Sequence, residues 1–153
     1  MRAGLDLREG NKWGKGAEKM SREIELAKKW LMAMNEHNTE RMSSLCWEDA
    51  VGEEVASPPP AEGRDQIAKN YRELFQGFPD CKAEILTIFS GQGQALAEVR
   101  WSGTNRGDFR GTPATGKFVD IRIAYIFKIQ DGKIRQITEY YDGATVSAQM
   151  GLS

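Results

Sequence analysis

Four polar side chains in the C-terminal half have the types needed for proton chemistry: Asn105, Asp120, Tyr125 and Glu139. A carboxylate can take or return a proton, a carboxamide can hold a carbonyl by hydrogen bonding, and a phenol can donate to developing negative charge. Together they read as acid–base machinery for a small apolar carbonyl compound. Either Asp120 or Glu139 carries the proton, Asn105 positions the carbonyl and Tyr125 faces the oxyanion. Trp101, Phe109 and Tyr141, with Tyr71 and Trp30 from earlier in the chain, are the candidate apolar contacts. Asn105 and Phe109 fall inside Trp101–Lys117, WSGTNRGDFRGTPATGK, a strand connection punctuated by glycines and one proline. Such a run reads as the rim of a cavity.

Simpler roles compete for several of these residues. Asp120 and Arg122 share strand parity and can form a solvent-exposed ion pair. Arg100, Arg106 and Arg110 have Glu98 and Asp108 as nearby partners. Tyr71 and Trp30 have helical spacing suited to core or cavity wall. His37, the only histidine, falls at an expected helix end and is expected to face solvent. His37 is remote from Ser102 and Thr104, which therefore lack a histidine–acid nucleophile arrangement, and a single histidine excludes a histidine-rich metal site. The glycine-rich run lacks the helix and lysine placement of a phosphate loop.

Composition narrows the class further. The 153 residues suit one domain, and a formal net charge of -1 gives no long-range pull toward nucleic acid or an anionic membrane. Cys46 and Cys81 are the two cysteines, too few for a disulfide framework, so a reducing, cytoplasmic setting is expected. There is no apolar stretch of membrane-spanning length. The chemistry sketched above calls for no cofactor and no metal.

The elements that must position these groups follow from periodicity. Residues 1–20 read as a flexible extension, and 21–153 as a single domain. A first helix is predicted from Ser21, which would cap it, to about Asn38, with Ile24, Ala27, Leu31 and Met34 as its buried stripe and Trp30 at its border. A short second helix is predicted over 39–46, and an extended segment opening at Trp47. A rigid loop follows at Ser57-Pro58-Pro59-Pro60. A third helix follows Gly63, with Ile67, Tyr71, Leu74 and Phe75 on its apolar face. After Pro79 the period changes to two. Strands are predicted over 84–90, 95–101, 118–129 and 134–141, with Asp131-Gly132 as a hairpin turn. On the long strand Val119, Ile121, Ile123, Tyr125 and Phe127 share one face, and Asp120, Arg122 and Ala124 the other. Helices followed by strands favour an α+β fold, a curved and mainly antiparallel sheet against three N-terminal helices. The tail can pack through Val146, Met150 and Leu152.

The run Trp101–Gly111, then Pro113–Lys117, Asp131-Gly132-Lys133-Ile134, Glu139-Tyr140-Tyr141-Asp142 and the closing Gln149-Met150-Gly151-Leu152 resemble the SnoaL-like polyketide cyclase and ester cyclase proteins of the nuclear-transport-factor-2-like superfamily. The resemblance implies a cone-like α+β fold around an apolar pocket and, commonly, a homodimer. It also implies a pocket acid or base acting in cyclisation, isomerisation or hydration-type reactions. This chain departs from the pattern in carrying Asn105 where the cyclases often have histidine, and Tyr125 near the place of a common aspartate. Glu139 matches a position that often carries an acid in epoxide-hydrolase relatives. Two other functions fit the same residues: noncatalytic binding of a hydrophobic small molecule, and a dimeric interaction module using the sheet surface. The expected partners are a small apolar molecule and a second copy of the chain, with no nucleic acid and no membrane.

Overall fold

In the computed structural model the described residues are 12–152, with side chains from Arg22 onward. In chain order the elements are α1 (Lys12–Asn35), α2 (Thr39–Ser44), β1 (Cys46–Glu54), β2 (Ala61–Glu62), α3 (Arg64–Gly77), β3 (Lys82–Gly91), β4 (Gln94–Thr104), β5 (Phe118–Gln130), β6 (Lys133–Tyr140) and α4 (Gly143–Gln149). The strands form one sheet in the order β2-β1-β6-β5-β4-β3. Neighbours are antiparallel except β1 and β6, which run parallel.

The α+β class is as expected, with three differences in detail. Helix α1 begins at Lys12, so Ser21 lies inside it rather than capping it, and the expected extension is helical from that point; residues 1–11 lie outside the described residues. Two strands, β1 and β2, form between the second and third helices, and β1 joins the sheet beside the last strand. The tail forms a fourth helix, α4, capped by Asp142, whose carboxylate accepts from Ala144 N at 3.0 Å and from Thr145 Oγ1 at 2.8 Å.

The core lies between the helices and the concave face of the sheet. Helix α1 crosses β3 and β4, while α3 crosses β1. The buried stripe of α1 includes Ala27, Leu31 and Met34 as its spacing predicts, with Ala33 beside them; Trp30, expected at the border, is fully buried, and Ile24, expected in the stripe, is half-buried. On β5 the buried positions Val119, Ile123, Tyr125 and Phe127 alternate with half-buried or exposed ones, which sets the inward face. The β5–β6 turn places Asp131 at φ +47° and Gly132 at φ +76°, the paired left-handed conformations of a tight hairpin. Helix α1 ends with His37, not Asn38, in the left-handed region at φ +55°. The His37 ring is half-buried rather than solvent-facing: it stacks on Phe75 with centroids 4.1 Å apart and lies 3.1 Å from the carbonyl of Cys81.

Between β4 and β5 the chain makes the long excursion of residues 105–117, which folds back on the end of α3. The carbonyl of Gly77 receives Arg106 N at 3.0 Å and Gly107 N at 3.2 Å. The approach leaves no room for a side chain: a Cβ at Gly107 would sit 2.2 Å from the backbone oxygen of Gln76. At the tip, Phe109 and Thr112 exchange backbone hydrogen bonds of 2.9 Å around a turn formed by Arg110 and Gly111.

Candidate active site

A cleft opens between the concave sheet face, α3, the 105–117 excursion and α4. Its larger lobe encloses about 280 Å³ and is walled by Phe78, Trp101, Phe109, Val119, Ile121, Ile123, Tyr125, Tyr141, Val146 and Met150. A smaller lobe of about 80 Å³ lies among Gly52, Ala61, Ile67, Asn70 and Ile137. Both lobes share Glu54, Tyr71, Leu74, Phe109, Arg110 and Glu139, so these residues mark the junction.

Strand parity brings Glu139 there. Ile137 and Glu139 alternate inward along β6, while Tyr140 points out and is half-exposed. The Tyr71 hydroxyl, one turn after Ile67 on the buried face of α3, donates to Glu139 Oε1. That bond occupies one carboxyl oxygen and sets the plane of the group. Burial pushes the Glu139 carboxyl up to about 8, and the charge of Glu54 adds to the rise, while the Tyr71 hydrogen bond and Arg110 oppose it. At neutral pH the carboxyl is therefore mostly protonated, close to the balance that suits proton transfer in either direction.

Glu54 belongs to the same junction. On the parallel strands β1 and β6, Glu54 and Glu139 are direct register partners, so two carboxyls stand side by side. Arg110, delivered by the tip of the excursion, pairs with Glu54 Oε2 at 2.5 Å and donates to Ser57 Oγ at 3.0 Å. The Tyr141 hydroxyl donates to Glu54 Oε1. One carboxyl thus has its own cation and a phenol, while the other has a phenol alone. That difference separates their environments. Burial raises the Tyr71, Tyr125 and Tyr141 phenols, with the carboxyl charges adding to the effect, so all three remain hydrogen-bond donors across the neutral range.

The residues expected from sequence divide clearly. Glu139, Tyr125, Trp101, Phe109, Tyr71 and Tyr141 line the cleft. Asp120 does not. It lies on the opposite face of β5, where it forms a bidentate pair with Arg100 rather than with Arg122; β4 places Arg100 diagonally across from it. The hydrogen bond from Arg100 holds its carboxyl below the usual range. Asn105 is fully buried and not a cleft residue: Nδ2 donates to Gly77 O at 3.2 Å and Gly107 O at 3.0 Å, and Oδ1 accepts from Thr115 N at 2.7 Å and Thr115 Oγ1 at 3.0 Å. Its amide braces the excursion and has no atom to spare for a carbonyl ligand. Trp30 stands behind the wall, its ring 5.2 Å from Tyr71 and 5.7 Å from Tyr125, so it supports the phenols and touches no cavity space.

Glu54 and Arg110 were not legible as site residues. Arg110 was expected to pair with Glu98 or Asp108, but its partner comes from β1, far away in sequence. The signal for Glu54 was parity with Ala50 and Gly52 on a strand entering a proline loop, and that says nothing without the parallel pairing to β6. Among the described residues no group of three or more His, Cys, Asp and Glu side chains could hold a metal ion. Cys46 and Cys81 are both free and buried, and burial pushes each thiol up to about 12, so neither is a nucleophile at neutral pH.

The family model for SnoaL-like polyketide cyclases matches residues 24–150, which include every cleft residue named above. The chain belongs to the SnoaL-like polyketide cyclase family. Solved structures share this fold at low identity. A candidate SnoaL-like polyketide cyclase from Jannaschia sp. CCS1 superposes with a TM-score of 0.81 at 18% identity, covering 88% of this chain and 94% of that one. A protein with a ketosteroid isomerase-like fold from Catenulispora acidiphila, in complex with trimethylamine, gives 0.74 at 19% identity, covering 84% and 94%. An epoxide hydrolase of M. tuberculosis, described as LEH-like, gives 0.68 at 17% identity, covering 86% and 91%. No curated protein matches the chain by sequence. Within the SnoaL-like fold, β6 of this chain places a carboxyl in the cleft with β1 and α3 beside it, and the excursion brings an arginine there.

Proposed function

We propose that this SnoaL-like protein is an acid–base enzyme for a small, largely apolar carbonyl compound, with Glu139 as the proton-transferring group. The observation that carries the reading is the Glu139 carboxyl at the junction of an aromatic-walled cavity, oriented by Tyr71 and raised to about 8. In its ionised form Glu139 abstracts a proton next to the substrate carbonyl through the oxygen that Tyr71 leaves open, then returns it elsewhere on the same molecule or to a leaving oxygen. Tyr125 is the phenol available to the developing oxyanion, because the single hydroxyl proton of Tyr71 is given to Glu139. The Glu54–Arg110 pair is preorganised beside the acid and tunes it. Proton transfer of this kind takes no cofactor. The apolar walls favour a substrate with a hydrophobic body, and the trimethylamine complex of the Catenulispora protein supports a small-molecule role for a cavity in this fold.

The test is hydrogen–deuterium exchange on enolisable ketones and 1,3-dicarbonyl compounds in D2O, followed by NMR. The native protein accelerates exchange, and Glu139→Gln loses roughly 10²–10⁴-fold of that rate while keeping the fold. Stoichiometric ligand binding with no exchange or turnover would instead establish the binding-protein reading.

We further propose that the protein works as a homodimer in the cytoplasm. The outer sheet face supports the first point: Phe89, Leu96, Ile126 and Thr138 form one row across β3, β4, β5 and β6, with Phe89 56% exposed. The two free thiols support the second. Among the described residues no helix is long and apolar enough to cross a membrane.

A further inference from the structure

Charge in the cleft is unevenly matched. The larger lobe presents two carboxyls and one guanidinium, and the guanidinium is bonded to Glu54 and Ser57. Glu139 has a hydrogen bond from Tyr71 and no cation of its own. The groups facing it are Glu54 from β1, Tyr71 from α3, Tyr125 from β5, Tyr141 beyond β6 and Arg110 from the excursion, so the missing partner is a positive charge.

The opposite side of the same lobe is a set of aromatic rings. Phe78 stands edge-on to Trp101, centroids 5.2 Å apart at 74°, and to Phe109 at 5.4 Å and 79°. Tyr125 and Tyr141 complete the enclosure. The Phe109 face already carries the Arg110 guanidinium at 4.8 Å, which leaves the Trp101 and Phe78 rings as the ones open to attract a desolvated cation. An anionic ligand would meet two carboxyls and an arginine that is already neutralised. A neutral ligand would leave Glu139 protonated, as it is in the free protein at neutral pH.

From this juxtaposition we infer that the cleft is selective for molecules carrying an alkylammonium group, held between the Glu139 carboxyl and the rings of Trp101 and Phe78. This deepens the reading of the cleft as the substrate site and rests on it: the substrate class becomes an apolar carbonyl compound with a cationic nitrogen. Binding converts Glu139 to its ionised form. The proton released goes to solvent, and the ammonium becomes the counter-ion the empty site lacks. Because the free carboxyl titrates near 8, most molecules lose a proton on binding at pH 7.

Two probes of equal shape isolate the charge: choline, and 3,3-dimethylbutan-1-ol, in which carbon replaces the nitrogen. The charge of choline does not change with pH. Affinities are measured by NMR titration of the full chain at pH 6, 7, 8 and 9. Choline is expected to bind roughly tenfold or more tightly than the alcohol at pH 8 and above. Its affinity is expected to fall about tenfold per pH unit well below the Glu139 midpoint, while that of the alcohol stays flat. Glu139→Gln, checked for folding by its melting curve, should remove the pH slope and cut the preference for choline to the smaller part that the rings alone supply. The pH series on the native protein is decisive alone if that variant misfolds. Equal affinities at pH 8, tighter binding of the alcohol, or a preference untouched by pH would overturn the inference while leaving the cleft as a ligand site. Binding of neither probe, together with no exchange on any carbonyl compound, would remove the inference and the enzymatic reading at once.

Discussion

At Glu139 the carboxyl is raised chiefly by burial and secondarily by Glu54, and both causes can be probed. If the ionised form is the base, the population of competent enzyme grows with pH until the carboxyl is fully ionised. The value of kcat/KM for proton exchange is then expected to climb about tenfold per pH unit below a midpoint near 8 and to level above it. A falling limb through the same midpoint would make Glu139 the acid instead. Glu54→Gln removes the repelling charge and frees Arg110 to approach, and both changes favour ionisation. The midpoint in that variant should move down by about one pH unit, read from the same profile. Asp120→Asn should leave the profile and the rate unchanged, because that carboxylate is bound to Arg100 on the outer face. Loss of activity there would return Asp120 to the site.

Among the elements, the 105–117 excursion decides the shape of the cleft mouth. It carries Phe109 and Arg110, and it is tied down at its base by Asn105 and by Asp80, which accepts from Thr104 N at 2.7 Å and Thr104 Oγ1 at 2.8 Å. Asn105→Ala would remove the Asn105 partner of the Gly107 carbonyl and the Thr115 amide in a part-buried place, while the Gly77 carbonyl keeps Arg106 N and Gly107 N. A loss of about 2–4 kcal/mol in urea denaturation is expected, with KM rising more than kcat falls because Arg110 and Phe109 lose their seating. On the other side, α4 is latched to β5 by Gln149, whose amide exchanges hydrogen bonds of 2.7 and 3.0 Å with the backbone of Asp120. That latch keeps Val146 and Met150 against the apolar lobe.

At the scale of the whole molecule, the sheet has helices on its concave face, while its convex face is open in the monomer. Phe89 and Tyr140 stand half-exposed there, with Leu96 and Ile126 between them. A face of this kind is costly to leave wet. Ile126→Glu, placed in the middle of it, should convert the expected dimer to monomer in sedimentation velocity without unfolding the chain. A native protein that sediments as a monomer would reject the dimer outright.

Periodicity in the sequence determined most of the local structure. The buried stripe of α1, the inward face of β5 with Tyr125 on it, and the Asp131-Gly132 turn are consequences of side chains a few residues apart. The same parity puts Asp120 and Tyr125 on opposite faces of the strand from the sequence alone. Helix α4 and strands β1 and β2 were harder, because short elements carry little periodic signal and draw their stability from what they pack against. Only the tertiary structure decided which acid lines the cleft. It did so by laying β1 parallel to β6, which makes Glu54 and Glu139 neighbours, and by folding Arg110 over both. The charge state of a carboxyl depends on burial and on groups that arrive from elsewhere in the chain, and neither is a property of its sequence neighbours.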